Sequence, residues 1–292
     1  MLRFVEHDGV RFACELRIGE GSGEPGIGDG ERAAAGGPMA GGRGSAIGAP
    51  WLILLHGLGG DRSQVIELAP AGAPLVMAMD FRGHGETEPL GPPEKLGFRV
   101  FASDLAAVMD ALRIECAVVA GVSMGAGVAA RLALDFPGKV KSIACIRPAW
   151  LDRPFPDNLA GQPLVAGLLR SHGPEAGLAA FRRSAVRADF AAVSTGTAES
   201  LDGQFLAPGA VARAARLERL PADAPFADME ELRSVGVPAL VAGCERDPMH
   251  PLHIADEWAA RLRTSTVLVP PKAEDAAAYT AAVRRAIAAL LA

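Results

Sequence analysis

Ser123 stands at the centre of a Gly-x-Ser-x-Gly pentad, Gly121-Val122-Ser123-Met124-Gly125. The pentad follows the apolar run Ala117-Val118-Val119-Ala120 and precedes a helical pattern from Met124 to Phe136 that stops at Pro137-Gly138. Acyl-transfer chemistry asks for that spacing. A sharp strand-to-helix turn lifts a serine Oγ above the sheet, and the flanking glycines leave room for the bend. The helix N-terminus behind the serine favours negative charge developing beside it. A second cluster lies at Asp247-Pro248-Met249-His250-Pro251-Leu252-His253, a carboxylate with imidazoles at i+3 and i+6. A metal reading of these three fails, because two prolines interrupt the spacing and no fourth ligand is evident. A nucleotide reading fails too. Gly57-Leu58-Gly59-Gly60 lacks the third glycine of G-x-G-x-x-G, and no G-K-[ST] occurs. No cofactor motif is present, so none is expected.

The elements that must position these residues alternate. Trp51 to Leu55, Leu75 to Met79, Ala117 to Ala120, Val140 to Ile146, Ala239 to Ala242 and Thr266 to Val269 are short continuous apolar runs. Such runs mark strands buried on both faces of a parallel sheet. Helical patterns at Val100–Leu112, Met124–Phe136, Ile254–Leu262 and Ala276–Leu291 fall between them. Upstream, Leu2–Glu6 and Val10–Leu16 flank His7-Asp8-Gly9, an antiparallel hairpin signal. The fold class is therefore α/β, a mostly parallel sheet with an N-terminal antiparallel hairpin and helices on both faces. From residue 151 to 234 the pattern holds only helices and loops, broken by seven prolines. That stretch reads as a helical cap inserted into a core of residues 1–150 and 235–292, over the carboxyl edge of the sheet where open α/β folds bind ligands. Residues 19–49 hold twelve glycines and read as a flexible loop.

Composition bounds the partners. The chain has 292 residues, 34 acidic against 29 basic, and a formal net charge of −5. That length supports a large core without disulfides or metal, and the mild acidity argues against a nucleic-acid or anionic-membrane surface. No apolar run is long enough to span a bilayer, and the charged start lacks the apolar segment of a signal peptide. Cys14, Cys116, Cys145 and Cys244 are widely spaced and read as reduced, buried thiols of a cytoplasmic protein.

These motifs together resemble the α/β-hydrolase superfamily, across nearly the whole sequence. His56-Gly57-Leu58-Gly59-Gly60 is similar to the family's loop after its third strand. The resemblance implies an oxyanion hole made by the Leu58 and Met124 N–H groups. Asp80-Phe81-Arg82-Gly83-His84-Gly85 is similar to a structural turn of the family, which gives His56 and His84 structural roles. Val237–Gly243 followed by Arg246-Asp247-Pro248 is similar to the strand and loop that deliver the acid, which implies Asp247, in the family's chain order after Ser123. The family's histidine belongs in the loop after the last strand. Here that loop reads Val269-Pro270-Pro271-Lys272-Ala273-Glu274-Asp275 and contains none.

Two groups could replace it. His250 follows the acid loop closely and could be a displaced base. Glu274 occupies the expected position, but a free Glu titrates near ~4.3 and would need burial beside Asp247 to serve. The expected function is serine-dependent hydrolysis of a small carboxylic ester or thioester with an atypical or displaced base, the substrate lying in an apolar pocket under the cap. A non-hydrolytic lyase, cyclase or isomerase on the same scaffold, or a catalytically dead ligand-binding member, are the alternatives that the missing histidine leaves open.

Overall fold

The computed structural model describes residues 1–19 and 50–292. The glycine-rich stretch expected as a loop lies, from residue 20 to 49, outside the described residues. The first strands, β1 (Leu2–His7) and β2 (Val10–Ile18), pair antiparallel with His7 opposite Val10. Asp8 and Gly9 between them both have positive φ, the backbone that a two-residue hairpin turn requires.

The remaining strands are β3 (Trp51–Leu55), β4 (Leu75–Met79), β5 (Ala117–Val122), β6 (Val140–Ile146), β7 (Ala239–Gly243) and β8 (Thr266–Leu268). They form one sheet in the order β1-β2-β4-β3-β5-β6-β7-β8, parallel from β4 to β8, with β2 joining β4 antiparallel. The apolar runs are continuous because the strands bury both faces. Ile53, Leu55, Met77, Met79 and Val119 face one core, while Leu52, Leu54, Val76, Ala78 and Val118 face another. Helix α1 (Ser63–Ile66) contributes to the second core, and α2 (Phe98–Ala111) and α3 (Met124–Asp135) close the first.

Between β6 and β7 the chain forms α4 (Gly161–Arg182), α5 (Ala185–Val193), α6 (Thr195–Leu206) and α7 (Ala215–Arg219), with short 3₁₀ turns. Gly173, with positive φ before Pro174, breaks α4 in two. These helices bury their own cluster around Phe181, Phe190, Leu201 and Phe205, and Leu58 and Met249 from the sheet's edge pack against it. Helix α8 (Leu252–Arg261) then adds Ile254 and Trp258 to the first core, and α9 (Ala276–Leu291) adds Tyr279 and Val283 to the second.

Two local expectations shift. Helix α2 begins at Phe98, not Val100, because the Asp223 carboxylate accepts a hydrogen bond from the Phe98 N–H at 2.9 Å. A cap supplied 125 positions downstream leaves no local trace. Cys14, Cys145 and Cys244 are buried as expected, whereas Cys116, just before β5, is exposed.

The strand order places the site. From β3 the chain moves outward to β4, then returns past β3 to β5, so the carboxyl ends of β3 and β5 diverge side by side. Ligands bind at such a reversal in open α/β sheets. The turn after β5 is possible only with glycines on both sides. A Cβ on Gly121 would run into the Gly125 carbonyl, and one on Gly125 would run into the Leu55 carbonyl. Gly125→Ala should therefore lower stability by about 2 kcal/mol or more, as overpacking against backbone does. Thermal unfolding checks this: the midpoint should fall by several degrees against wild type, and an unchanged midpoint would contradict the packing described.

Candidate active site

Ser123 has φ 56° and ψ −112°, a conformation rare outside glycine that costs roughly 1–3 kcal/mol and persists only when its surroundings impose it. Its N–H donates to the Ile146 carbonyl at 2.9 Å, and its own carbonyl accepts from Ala126 N–H at 3.0 Å. One bond ties the bend to β6 and the other starts α3. The side chain is 8% exposed, enough for Oγ to open on a cavity but not on bulk water.

His250 Nε2 lies 3.0 Å from Ser123 Oγ, and His250 Nδ1 lies 2.9 Å from Asp247 Oδ2. An ionised carboxylate only accepts, so Nδ1 carries the hydrogen and Nε2 is left to accept from the serine hydroxyl. The acid and the imidazole come from one four-residue turn. His250 N–H donates to the Asp247 carbonyl at 3.2 Å, which closes a β-turn with Pro248 at its second position. Asp247 Oδ1 also accepts from the N–H groups of Met249 and His250 at 3.2 Å each, so Oδ2 alone faces the imidazole ring. Asn158 pins the turn from outside, its amide donating to the carbonyls of Met249 at 2.7 Å and Ala149 at 3.0 Å.

Of the two prolines that break a metal spacing, Pro248 sits inside this turn and Pro251 leads into α8. His253, three residues after His250, lines a different groove with Arg153 and Asp152. Glu274 does not reach Ser123 or Asp247. Its carboxylate is half exposed and pairs with Arg246 at 2.7 Å. The structure does not bring Glu274 together with the other candidates, while Lys272 and Ala273 of the same loop line the cavity.

Arg147 was not legible as a site residue. It follows β6 with positive φ, its guanidinium lies 5.0 Å over the Tyr279 ring, and its Nη1 donates to Asp247 Oδ2 at 2.9 Å. Burial pushes the Asp247 carboxyl upward, but the His250 imidazole and the Arg147 guanidinium outweigh it and hold the group well below the ordinary carboxylate range.

The loop after β3 has its amides divided between two uses. Gly57 N–H donates to Gln64 Oε1 at 2.7 Å, Gly59 N–H to His84 Nε2 at 3.2 Å, and Gly60 N–H to the Gly57 carbonyl at 3.0 Å. Among the described residues the Leu58 N–H has no partner. Met124, the first residue of α3, likewise has an N–H that no earlier turn can accept. Gly57 lies close to Ser123, and Gly57, Leu58 and Ser123 line one cavity. His56 and His84 hold the loop from below. Each is fully buried, each accepts a backbone N–H at Nε2, and each has Nδ1 against a carbonyl. Burial lowers both imidazoles, His84 well below its ordinary value, so they stay neutral acceptors.

The cavity encloses about 330 Å³. Its wall is mixed, with Leu58, Val122, Met249, Pro271 and Ala273 beside polar groups. Arg147, Lys272, Arg246 and Gln64 share it with hydroxyls of Ser194, Thr197 and Ser200 on or beside α6.

With this geometry in view, the family is clear. The chain belongs to the α/β hydrolase fold family, whose model matches residues 50–282. Over 103 residues it is 42% identical to the dihydrolipoyllysine-residue acetyltransferase component of the acetoin cleaving system of Cupriavidus necator, a match covering 35% of this chain and 27% of that protein. Over 102 residues it is 34% identical to a fluoroacetate dehalogenase of Burkholderia sp, covering 33% of this chain and 34% of that protein. The chain thus spans about a third of the length of these curated relatives, or less. Among solved structures, the enol-lactonase from Burkholderia xenovorans LB400 superposes with a TM-score of 0.70 at 21% identity, over 99% of both chains, a likeness of fold.

The depressed Asp247 carboxyl makes a stability prediction. A group ionised more readily folded than unfolded stabilises the fold fully above the unfolded value, about 4 for Asp, and loses that contribution as the pH falls through the folded value. Denaturant unfolding of wild type and Asp247→Asn should show a stability difference that is constant at neutral pH and shrinks below about pH 4. A difference that stays the same down to acid unfolding would contradict the ion-pair geometry.

Proposed function

We propose that this chain is a serine-dependent hydrolase of a small carboxylic ester or thioester, with His250 as its base. The observation that carries the reading is the continuous contact from Asp247 Oδ2 through His250 to Ser123 Oγ, with hydrogen bonds of 2.9 and 3.0 Å. Hydrogen-bond reach between nucleophile and base, with a third group orienting the base, is the requirement for an activated hydroxyl. The family membership and the likeness to an enol-lactonase support it.

In this reading Ser123 Oγ attacks the substrate carbonyl while its proton passes to His250 Nε2. The N–H groups of Leu58 and Met124 receive the oxyanion, donors fixed in place before the charge develops. Collapse of the tetrahedral species breaks the bond to the alcohol or thiol, which takes the proton from Nε2. Water then attacks the acyl-serine with His250 again accepting its proton, and collapse returns the serine hydroxyl and releases the acid. Asp247 stays ionised throughout and stabilises the imidazolium. The His250 imidazole 3.0 Å from Ser123 Oγ supports this reading over a catalytically dead member, although the loop after β8 holds no histidine.

A fluorophosphonate probe should label wild type and not Ser123→Ala. Absence of labelling in the wild type would sink the hydrolase reading. His250→Gln should lower kcat on p-nitrophenyl esters by about 10⁴-fold or more, as loss of a triad imidazole does. Glu274→Gln should change kcat by less than about twofold, since an exposed ion pair contributes little. Steady-state kinetics on the two variants separates the two candidate bases directly.

A further inference from the structure

The cavity beside Ser123 holds more positive charge than ester hydrolysis asks for. Three cations line it, Arg147, Arg246 and Lys272, against the single carboxylate of Asp247. Arg246 is matched by Glu274 at the rim. Arg147 gives one donor to Asp247, which His250 also uses, and its Nε is buried without a partner. Lys272 has no acidic partner among the described residues. Its ammonium is lowered first by desolvation and then by repulsion from Arg147; Asp247 pairs Arg147 and Glu274 pairs Arg246, which leaves Lys272 as the cation of this lining without a carboxylate.

A cation that no carboxylate matches attracts an anion entering beside it. The loop that would hold the family's histidine therefore delivers a cation to the cavity instead. The hydroxyls of Ser194, Thr197 and Ser200 opposite can add donors to the same anion.

We propose that the site takes a small ester or thioester that also carries a free carboxylate, held by Lys272 and the hydroxyls of Ser194, Thr197 and Ser200. This deepens the hydrolase reading and rests on it for the placement of the reacting carbonyl at Ser123. One unmatched cation fits a monoanion rather than a dianionic phosphate, and a cavity near 330 Å³ fits a small metabolite.

The test is calorimetric and does not depend on turnover. With Ser123→Ala protein, monomethyl succinate should bind at least about tenfold more tightly than dimethyl succinate, a difference near 1.4 kcal/mol. Added Lys272→Gln should bring the two within about twofold, and raising the salt should shrink the advantage as screening reaches the mouth of the cavity. Equal affinity for the two esters, or no binding of the half-ester up to about 10 mM, overturns the proposal. The two readings fail separately. Unlabelled Ser123 in the fluorophosphonate experiment removes the hydrolase reading while a carboxylate preference would stand, and a labelled Ser123 with no preference removes only this one.

Discussion

Asp247 Oδ2 receives hydrogen bonds from two directions, from His250 Nδ1 and from Arg147 Nη1, and much of the site's geometry follows from that shared oxygen. It sets the ring of His250 so that Nε2 meets Ser123 Oγ. It also keeps Arg147, at the end of β6, lying over Tyr279 of α9. A carboxylate buried this deeply would be costly unpaired, and removing either partner would leave part of that cost uncompensated. The arrangement therefore ties together the ends of β6 and β7 and the last helix in one charged contact.

The rest of the site is positioned by backbone rather than by charge. Ser123 is strained, and the strain is imposed from three sides: Ile146 holds its N–H, α3 takes up its carbonyl, and glycines at 121 and 125 admit the close approach. The loop after β3 is held by Gln64 and the neutral imidazole of His84, which use up the amides on either side of Leu58, and by His56, whose Nδ1 faces the Gly57 carbonyl. What remains is one donor beside the start of α3. Preorganised donors of this kind act without reorganising when charge appears.

The helices between β6 and β7 contribute through contact with both halves of this framework. Asn158 fixes the acid turn, Leu58 and Met249 pack into the helices' apolar cluster, and Ser194 to Ser200 bring hydroxyls to the cavity. Arg216 on α7 donates to the Gly83 carbonyl at 2.8 Å, joining the same helices to the turn that carries His84. Burial and the nearby Arg213 lower this guanidinium to about 10, still charged at neutral pH. The polar groups of the cavity's mixed lining come from these separate contributions, and the sequence, read segment by segment, does not assemble them.

The sequence by itself determined the architecture and its centre. Continuous apolar runs ending in glycine or a charged residue require strands buried on both faces, and Gly121-Val122-Ser123-Met124-Gly125 between such a run and a helix requires a bend with Ser123 at its apex. Asp247 and His250 were visible as candidates, and Asp-Pro at the head of a four-residue segment is a turn signature that local physics can read. Only the tertiary structure separates the positions of His250 and Glu274, the first 3.0 Å from Ser123 Oγ and the second paired with Arg246 at the rim. Both lie near the sheet's carboxyl edge in sequence terms, and choosing between them depends on which way two loops face, a matter of long-range packing. Arg147 and Asp223 were illegible for the same reason: their partners lie 100 and 125 residues away, and no local pattern records a contact made across the sheet.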